Sequence, residues 1–370
     1  MDIESKCGIL GGGQLSMMLL QKAHSLGLSP QHLSTSSQDP AFQVSPKGIL
    51  GDPRNPEDLK KFTQNLNYLT FESEFFDAAY LKKELTHFKG TIFPSLDCLQ
   101  LLQDRKTQKE SFNSHKLLTS PHLHSKNPEP ILGFMNQMKG LVAKKRWNGY
   151  DGYGTTVLKT SKDLQNFLDQ NTSQLDQFIF EKKINFDYEV ALQVARSRAG
   201  HVVFLPLVKT TQKDNKCFLV EGPEKNSLQL ISLQRKIKKY LDAINYVGVI
   251  GFEFFKVKND FILNEVAPRV HNTGHHTLDS CEPNQFTLHW LCALQDRLPK
   301  IHLKSKSFVM LNLIGNSDKP VIPPDQSEGV LYWYGKSNRV GRKLGHINFT
   351  GENKKALVTR ALKELKRWKL

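Results

Sequence analysis

Asn264-Glu265-Val266-Ala267-Pro268-Arg269-Val270-His271-Asn272-Thr273-Gly274-His275-His276 places a carboxylate, a guanidinium, three imidazoles and two carboxamides in one short stretch. Two β-rich runs precede or overlap it: VIGFEFFKV at 249–257 and FILNEV at 261–266, separated by polar Lys258-Asn259-Asp260. Such runs around a short polar break predict a β-hairpin. With 258–260 as the loop, Val257 pairs with Phe261 and Glu253 falls opposite Glu265. Directly opposed residues of an antiparallel pair share a face, with Cβ atoms about 4.5–5.5 Å apart. Two carboxylates so placed repel each other, and a divalent cation between them removes the conflict. Mg²⁺ is commonly held by one or two carboxylates and completed by substrate phosphates. Glu253 and Glu265 are therefore the candidate metal ligands, for Mg²⁺ or, in its place, Mn²⁺.

The bulk composition narrows the class. At 370 residues the chain has room for two or three domains with real cores. No apolar run approaches the roughly 20 residues of a membrane-spanning helix, and MDIESK at the start lacks the basic-then-apolar order of a secretory leader. Cys7, Cys98, Cys217, Cys281 and Cys292 are odd in number and lack C-x-x-C spacing, which points to reduced thiols in a cytoplasm and against a disulfide frame or structural zinc. A net charge of +15 invites a nucleic-acid reading. The basic residues are spread out, however, and the densest clusters, Lys144-Lys145-Arg146 and Arg342-Lys343, sit beside glycines. Anionic small ligands account for them better, so neither nucleic acid nor membrane is the expected partner.

The opening of the chain reads strand, glycine turn, helix: CGIL at 7–10, Gly11-Gly12-Gly13-Gln14-Leu15, then apolar residues at three- and four-residue spacing to Ala23. This begins a doubly wound α/β unit whose helix N-terminus suits a phosphate. Ser16 stands where a dinucleotide fingerprint needs its third glycine, and no acid ends the second strand. A monophosphate on Gly12, Gly13 and Gln14 is the expectation. Strands at 49–52 and 68–72 keep the βαβ rhythm of a parallel sheet, and Glu72-Ser73-Glu74 closes one of them at the edge where such sheets bind ligands. One helix is expected over 96–112. The strand GLVAKKR at 140–146, the loop Trp147–Gly154 with three glycines, and the return at 155–158 form a flexible hairpin in which backbone N–H groups wrap phosphate oxygens beside a lysine. Strands at 178–184, 190–194 and 202–208 suggest an antiparallel sheet.

Taken together, GILGGGQL, Gln103-Asp104-Arg105, GYDGYG, FEFF, NEVAPRVHNTGHHT, Gln285-Phe286, VMLNLIG and YGK…GRKLGH resemble the ATP-grasp family of N5-carboxyaminoimidazole ribonucleotide synthetases, from Gly8 to about Gly351. The resemblance implies an α/β ATP-grasp fold. Its expected parts are an N-terminal doubly wound parallel (pre-ATP-grasp) sheet over 1–108, an ATP-grasp domain over 109–300 with a lid at about 115–185 and a central sheet at about 186–300, and a small C-terminal domain over 301–370. It implies carboxylation of 5-aminoimidazole ribonucleotide with bicarbonate and ATP, by way of carboxyphosphate, in purine biosynthesis, by a cytoplasmic homodimer.

By the same resemblance, Arg269, His271 and Asn272 hold bicarbonate. ATP meets Arg105, Lys144, the loop residues Gly149, Tyr150, Asp151, Gly152, Tyr153 and Gly154, then Glu181, Lys182, Lys183 and Ile184 at the adenine, Glu189 at the ribose, and Gln212, Asn264 and Glu265. The ribonucleotide meets Gly13, Gln14, Leu15, Glu72, Glu74, Tyr150 and Asp151, with Lys336, Arg342 and Lys343 on its phosphate. Ser16-Met17, Thr155, Gln212 and the 72–77 stretch depart from the family wording. Two other readings stay open: another ATP-grasp ligase, such as a formate-using transformylase or a biotin carboxylase, and a basic nucleic-acid-binding protein on a retired enzyme scaffold.

Overall fold

The computed structural model describes residues 6–46, 48–149, 153–368 and 370. The expected loop residues Tyr150, Asp151 and Gly152 lie outside these, as do the first five residues read for a leader. The first part of the chain is a parallel five-stranded sheet of order β3-β2-β1-β4-β5, with β1 (Lys6–Leu10), β2 (Ser29–Ser34), β3 (Ile49–Leu50), β4 (Tyr68–Phe71) and β5 (Thr91–Ile92). Cys7 through Leu10 are buried on both sides, as a central parallel strand must be when helices cover both faces. Helix α1 (Gln14–Ser25) follows the glycine turn, and α2 (Pro56–Thr63) and α3 (Ala78–Glu84) follow later strands.

The helix expected over 96–112 is two helices, α4 (Leu96–Gln103) and α5 (Arg105–Ser114). Asp104 breaks it. Its backbone is extended, its carboxylate accepts Lys106 N–H at 2.9 Å, and Arg146 Nη2 lies 2.5 Å from its Oδ2. Aspartate is a preferred N-cap because its side chain satisfies an orphan amide. The expected boundary at 108/109 falls inside α5.

A four-stranded antiparallel sheet of order β6-β9-β7-β8 comes next: β6 (His122–Leu123), β7 (Leu141–Lys145), β8 (Thr155–Leu158) and β9 (Phe178–Lys182), backed by α6 (Pro128–Met138) and α7 (Ser161–Asn171). The remainder builds one antiparallel sheet around β10 (Tyr188–Arg196), β11 (Val202–Phe204), β12 (Val208–Lys213), β13 (Lys216–Gly222), β14 (Gly248–Val257) and β15 (Asp260–Ala267), with α8 (Leu228–Ala243) on one face. Short α9 (Thr277–Ser280) leads to a small ladder of β16 (Cys281–Glu282) with β17 (His302–Leu303), which flanks α10 (Gln285–Leu294). The last strands, β18 (Ser307–Ile314), β19 (Val330–Trp333) and β20 (Lys343–Gly351), continue the same sheet in the order β15-β14-β10-β12-β13-β18-β20-β19, with β11 beside β10. The C-terminal strands are thus joined edge to edge to the central ones, and α11 (Lys354–Leu365) covers them.

The N-terminal sheet docks through α1, whose Leu19 and Met18 share a core with Phe286 and Trp290 of α10. Trp290 Nε1 donates to Leu19 O at 2.9 Å, so the buried indole leaves no orphan donor. All five cysteines are buried. Among the described residues, no helix is long and apolar enough to cross a membrane.

Candidate active site

The hairpin β14–β15 pairs Glu253 with Glu265, as expected, but by a different route. The turn is the two residues Lys258-Asn259, so Val257 faces Asp260 instead of Phe261. A bulge restores the register, because Phe254 pairs with Leu263 and Glu253 with Glu265, leaving Asn264 as the extra residue. A bulge re-aims side chains. Phe261, Leu263 and Val266 all enter the core under α8, while Asn264 and Glu265 both line the cleft on the other face, beside Glu253. The side chains of Glu253 and Glu265 remain 21% and 33% exposed.

That cleft, about 370 Å³, lies between the β7–β9 sheet and the central sheet. It brings together, from the expected nucleotide residues, Lys144, Glu181, Lys182, Lys183, Ile184, Glu189, Gln212, Asn264 and Glu265. Val142, Val157, Ile184, Phe186 and Phe255 give it an apolar side, with the two phenylalanine rings stacked at 4.6 Å. Glu189 accepts from Gln212 Nε2 at 3.0 Å, and burial pushes its carboxyl up. At the polar end Lys144 Nζ donates to Glu181 Oε2 (3.2 Å) and Asn264 Oδ1 (2.9 Å), joining lid to hairpin. Glu181 also meets Lys109 Nζ at 3.2 Å and accepts from Ser120 Oγ at 2.7 Å. Although burial works against its charge, the two lysines and the hydroxyl hold its carboxyl down to about 2. Its second oxygen, Oε1, has no hydrogen-bond partner among the described residues. Glu181 is therefore first a holder of lysines, with one acceptor left for a ligand donor.

Only Lys144 of the 144–146 cluster faces the cleft. Lys145 lies over the Tyr153 ring, and Arg146 pairs with Asp104. Tyr153 is 59% exposed and away from the cleft lining. Arg105 stands beside the cleft, donating to Glu265 Oε2 at 3.2 Å and to Gly149 O at 3.0 Å.

Of the three residues expected to hold bicarbonate, His271 and Asn272 line the cleft, next to Lys343. The His271 ring packs on Gly251, where a Cβ would come within 2.7 Å of the histidine's own Cβ. Burial, with Arg269 and Lys343 nearby, holds its pKa well below the ordinary histidine range. Asn272 exchanges amide bonds with Asn312 of β18 (3.0 and 2.7 Å). Arg269 lies deeper. Its Nε and Nη2 engage Glu74, the latter at 2.8 Å, and Nη1 donates to Val270 O. A guanidinium has five N–H donors, so two remain for a ligand. His275 and His276 are both buried: the first bonds Gln285, and the second stacks on Phe308 at 4.2 Å.

The glycine turn departs from expectation. Glu72 takes the helix N-terminus itself, accepting Gly13 N–H at 2.6 Å and Ser16 N–H at 3.1 Å. A monophosphate resting on Gly12, Gly13 and Gln14 would meet this carboxylate, and the glycines serve its close approach: a Cβ at Gly11, where φ is +103°, would lie 2.6 Å from Glu72 Cγ. Lys336 crosses from the C-terminal part to bond Gln14 Oε1, within electrostatic reach of Glu72, Arg342 and Lys343. The cationic group expected for a phosphate is assembled there, beside the turn. Leu15 is buried in the α1 core. Sequence reasoning missed Lys109, Asn312, Thr273, Gln193 and the Phe186–Phe255 wall.

Three domain models match the chain: the ribonucleotide synthetase preATP-grasp domain over residues 4–103, the ATP-grasp domain over 110–286, and the phosphoribosylaminoimidazole carboxylase C-terminal domain over 309–360. The N5-carboxyaminoimidazole ribonucleotide synthase of Saccharolobus solfataricus is 31% identical over 359 residues, covering 95% of this chain and 93% of that relative. The chain belongs to the N5-carboxyaminoimidazole ribonucleotide synthase family. The crystal structure of the synthetase from Thermus thermophilus is similar at a TM-score of 0.86 and 30% identity, covering 98% of each chain. The Aspergillus clavatus enzyme, crystallised with ADP and 5-aminoimidazole ribonucleotide, matches at a TM-score of 0.86 and 25% identity, covering 99% of this chain and 100% of that one. The ATP-grasp architecture inferred from the motifs is borne out, and the protein is an ATP-dependent ligase.

Proposed function

We propose that the two halves of the site described above divide one reaction between them. The enzyme carboxylates 5-aminoimidazole ribonucleotide at the expense of ATP, in purine biosynthesis. The observation that carries the division of labour is the pairing of Glu253 with Glu265 in the cleft that also holds Lys144, His271 and Asn272. The apolar wall and Glu181 Oε1 suit an adenine ring and its exocyclic amine. Glu189 suits a ribose hydroxyl, and Lys144 with Arg105 suits phosphate oxygens. Glu253 and Glu265 would hold Mg²⁺, which supplies charge neutralisation for the transferring phosphoryl group. Among the described residues no cluster of three or more acids, histidines or cysteines is suited to a metal. Two carboxylates fit an ion that takes its other oxygens from phosphates.

Bicarbonate is a poor electrophile, and attack of its oxygen on the γ-phosphorus expels ADP and gives carboxyphosphate. Arg269, His271 and Asn272 would confine that anhydride, or the CO₂ it releases, next to the attacking amine. Lys336, Arg342 and Lys343 would take the ribonucleotide phosphate, with Gln14 held to Lys336 and Glu72 kept on the N-terminus of α1. The chain would work as three domains, about 1–108, 109–300 and 301–370, the third sharing its sheet with the second, in a cytoplasmic homodimer. The test is phosphate release with and without aminoimidazole ribonucleotide and bicarbonate. Turnover in wild type should require the ribonucleotide and fall nearly to zero in Arg269→Ala. Equal release without the ribonucleotide sinks the reading.

A further inference from the structure

The role of His271 in holding the one-carbon acid, proposed above, leaves one chemical question that the surrounding geometry answers: which ring nitrogen carries the proton. We infer that Gln193 and Thr273 are positioning residues that fix His271 as the tautomer protonated at Nε2, so that it meets the cleft as a hydrogen-bond donor. This rests on the proposed site, but the proton placement is argued from contacts outside the cleft.

Gln193 of β10 and Thr273 are both fully buried. Gln193 Nε2 donates to Thr273 Oγ1 at 2.7 Å, and Thr273 Oγ1 lies 2.8 Å from His271 Nδ1. A hydroxyl has one hydrogen to give. With Gln193 as donor, that hydrogen goes to Nδ1, the only other partner of Oγ1 among the described residues. Nδ1 then accepts, which leaves the imidazole proton on Nε2. Turning the Gln193 amide over would reverse the relay, with Nδ1–H donating to Thr273. The two orientations differ in what they leave unpaired. As found, only the Gln193 carbonyl oxygen lacks a partner. Reversed, a buried NH₂ would lose its partner, and buried N–H groups are orphaned less often than carbonyl oxygens are.

Two further contacts hold the residue that carries the ring. Gln285 clamps the backbone of the same residue, its Oε1 accepting His271 N–H at 3.0 Å and its Nε2 donating to His271 O at 2.9 Å. Gly251 supplies the floor. Nε2 points toward Glu253 Oε1, 3.8 Å away. A donor there opposes negative charge on the one-carbon acid. It also cannot accept the proton of the attacking amine. As the N–C bond forms and the C–O bond to phosphate breaks, that proton goes to the departing phosphate oxygen, giving the N-carbamate and hydrogen phosphate.

The direct measurement is ¹⁵N NMR of imidazole-labelled wild-type protein, with the signal assigned by its loss in His271→Asn. An unprotonated nitrogen resonates far downfield of a protonated one, so the expected pattern is a bare Nδ1 and an Nε2–H. Protonation at Nδ1, or at both nitrogens, overturns the inference. Thr273→Val is expected to lower turnover roughly 10–100-fold while moving KM for ATP by no more than about twofold, the scale seen when groups orienting an imidazole are removed. Thr273→Ser, which keeps the hydroxyl, should recover most of it. Unchanged turnover in the valine variant, or no recovery in the serine variant, also overturns it. Full turnover in His271→Asn alongside an Nε2–H signal in wild type would instead sink the proposed role of His271 and leave the tautomer assignment standing.

Discussion

The glycine turn and the β14–β15 hairpin each bring acids to a strand end or strand middle beside a ligand space, and they use them oppositely. At the turn, Glu72 is consumed by the fold: two backbone amides occupy both of its oxygens. At the hairpin, Glu253 and Glu265 face one another across a ladder and stay partly open to the cleft. The difference lies in what surrounds the carboxylate. A helix N-terminus offers orphan N–H groups that an acid can satisfy, whereas a paired strand has already spent its own. An acid placed on a ladder must find its counter-charge in a side chain or a ligand.

The hairpin carries the largest expected effect. Glu265→Gln should reduce phosphate release by about three orders of magnitude, near 4 kcal/mol of barrier, if its charge holds the metal; a loss of tenfold or less would put it with the consumed acids. Next comes the lid root. Lys109→Met removes one of two lysines from buried Glu181 and should lower the urea-unfolding free energy by about 3 kcal/mol. Its pH signature follows from the Glu181 carboxyl being held down to about 2. That contribution is present above the ordinary carboxylate value of 4.5 and is lost as pH falls toward 2, so acid unfolding should begin at higher pH in the variant.

Glu72 should show the opposite slope. Burial raises its pKa above 4.5, so the folded state gains a proton first. The stability it adds is complete below 4.5 and disappears as pH rises through the raised value. Glu72→Gln should cost about 1 kcal/mol at acid pH and flatten that slope, measured by thermal melting across pH. Smallest of all, Gln212→Ala should raise KM for ATP about threefold by releasing Glu189. No change would mean that Glu189 is oriented without it.

Much of this was legible in the residues. The βαβ rhythm gave the parallel sheet, and β-rich runs about a polar break gave the hairpin. The opposed acids emerged from a loop one residue too long, because the bulge compensated. A signal for that bulge lay in the string itself: Phe261, Leu263 and Val266 slip phase by one, which an unbroken strand facing a core cannot do. Strand alternation could also have told Lys144 from its neighbour. Lys109 follows Arg105 by four residues on one helical face, a weaker hint. Gln193 and Asn312 carried no local mark, since each meets a partner brought near only by the folded sheet, whereas Thr273 lies two residues from the His271 ring it meets. Glu72 looked like a ligand contact for the same reason that made it a cap, its place at the sheet's carboxyl edge.

The way the sheets are joined bears on motion. Because β13, β18 and β20 are laced together by continuous backbone bonding, Lys343 travels with the wall that carries His271. Where the chain enters the four-stranded sheet, by contrast, the strand pairing to this long beam among the described residues is the single bridge of Thr119 to Leu263. Beyond that bridge, the four-stranded sheet is tied to the beam by the chain itself at 183–187 and by side chains such as Lys144 on Asn264.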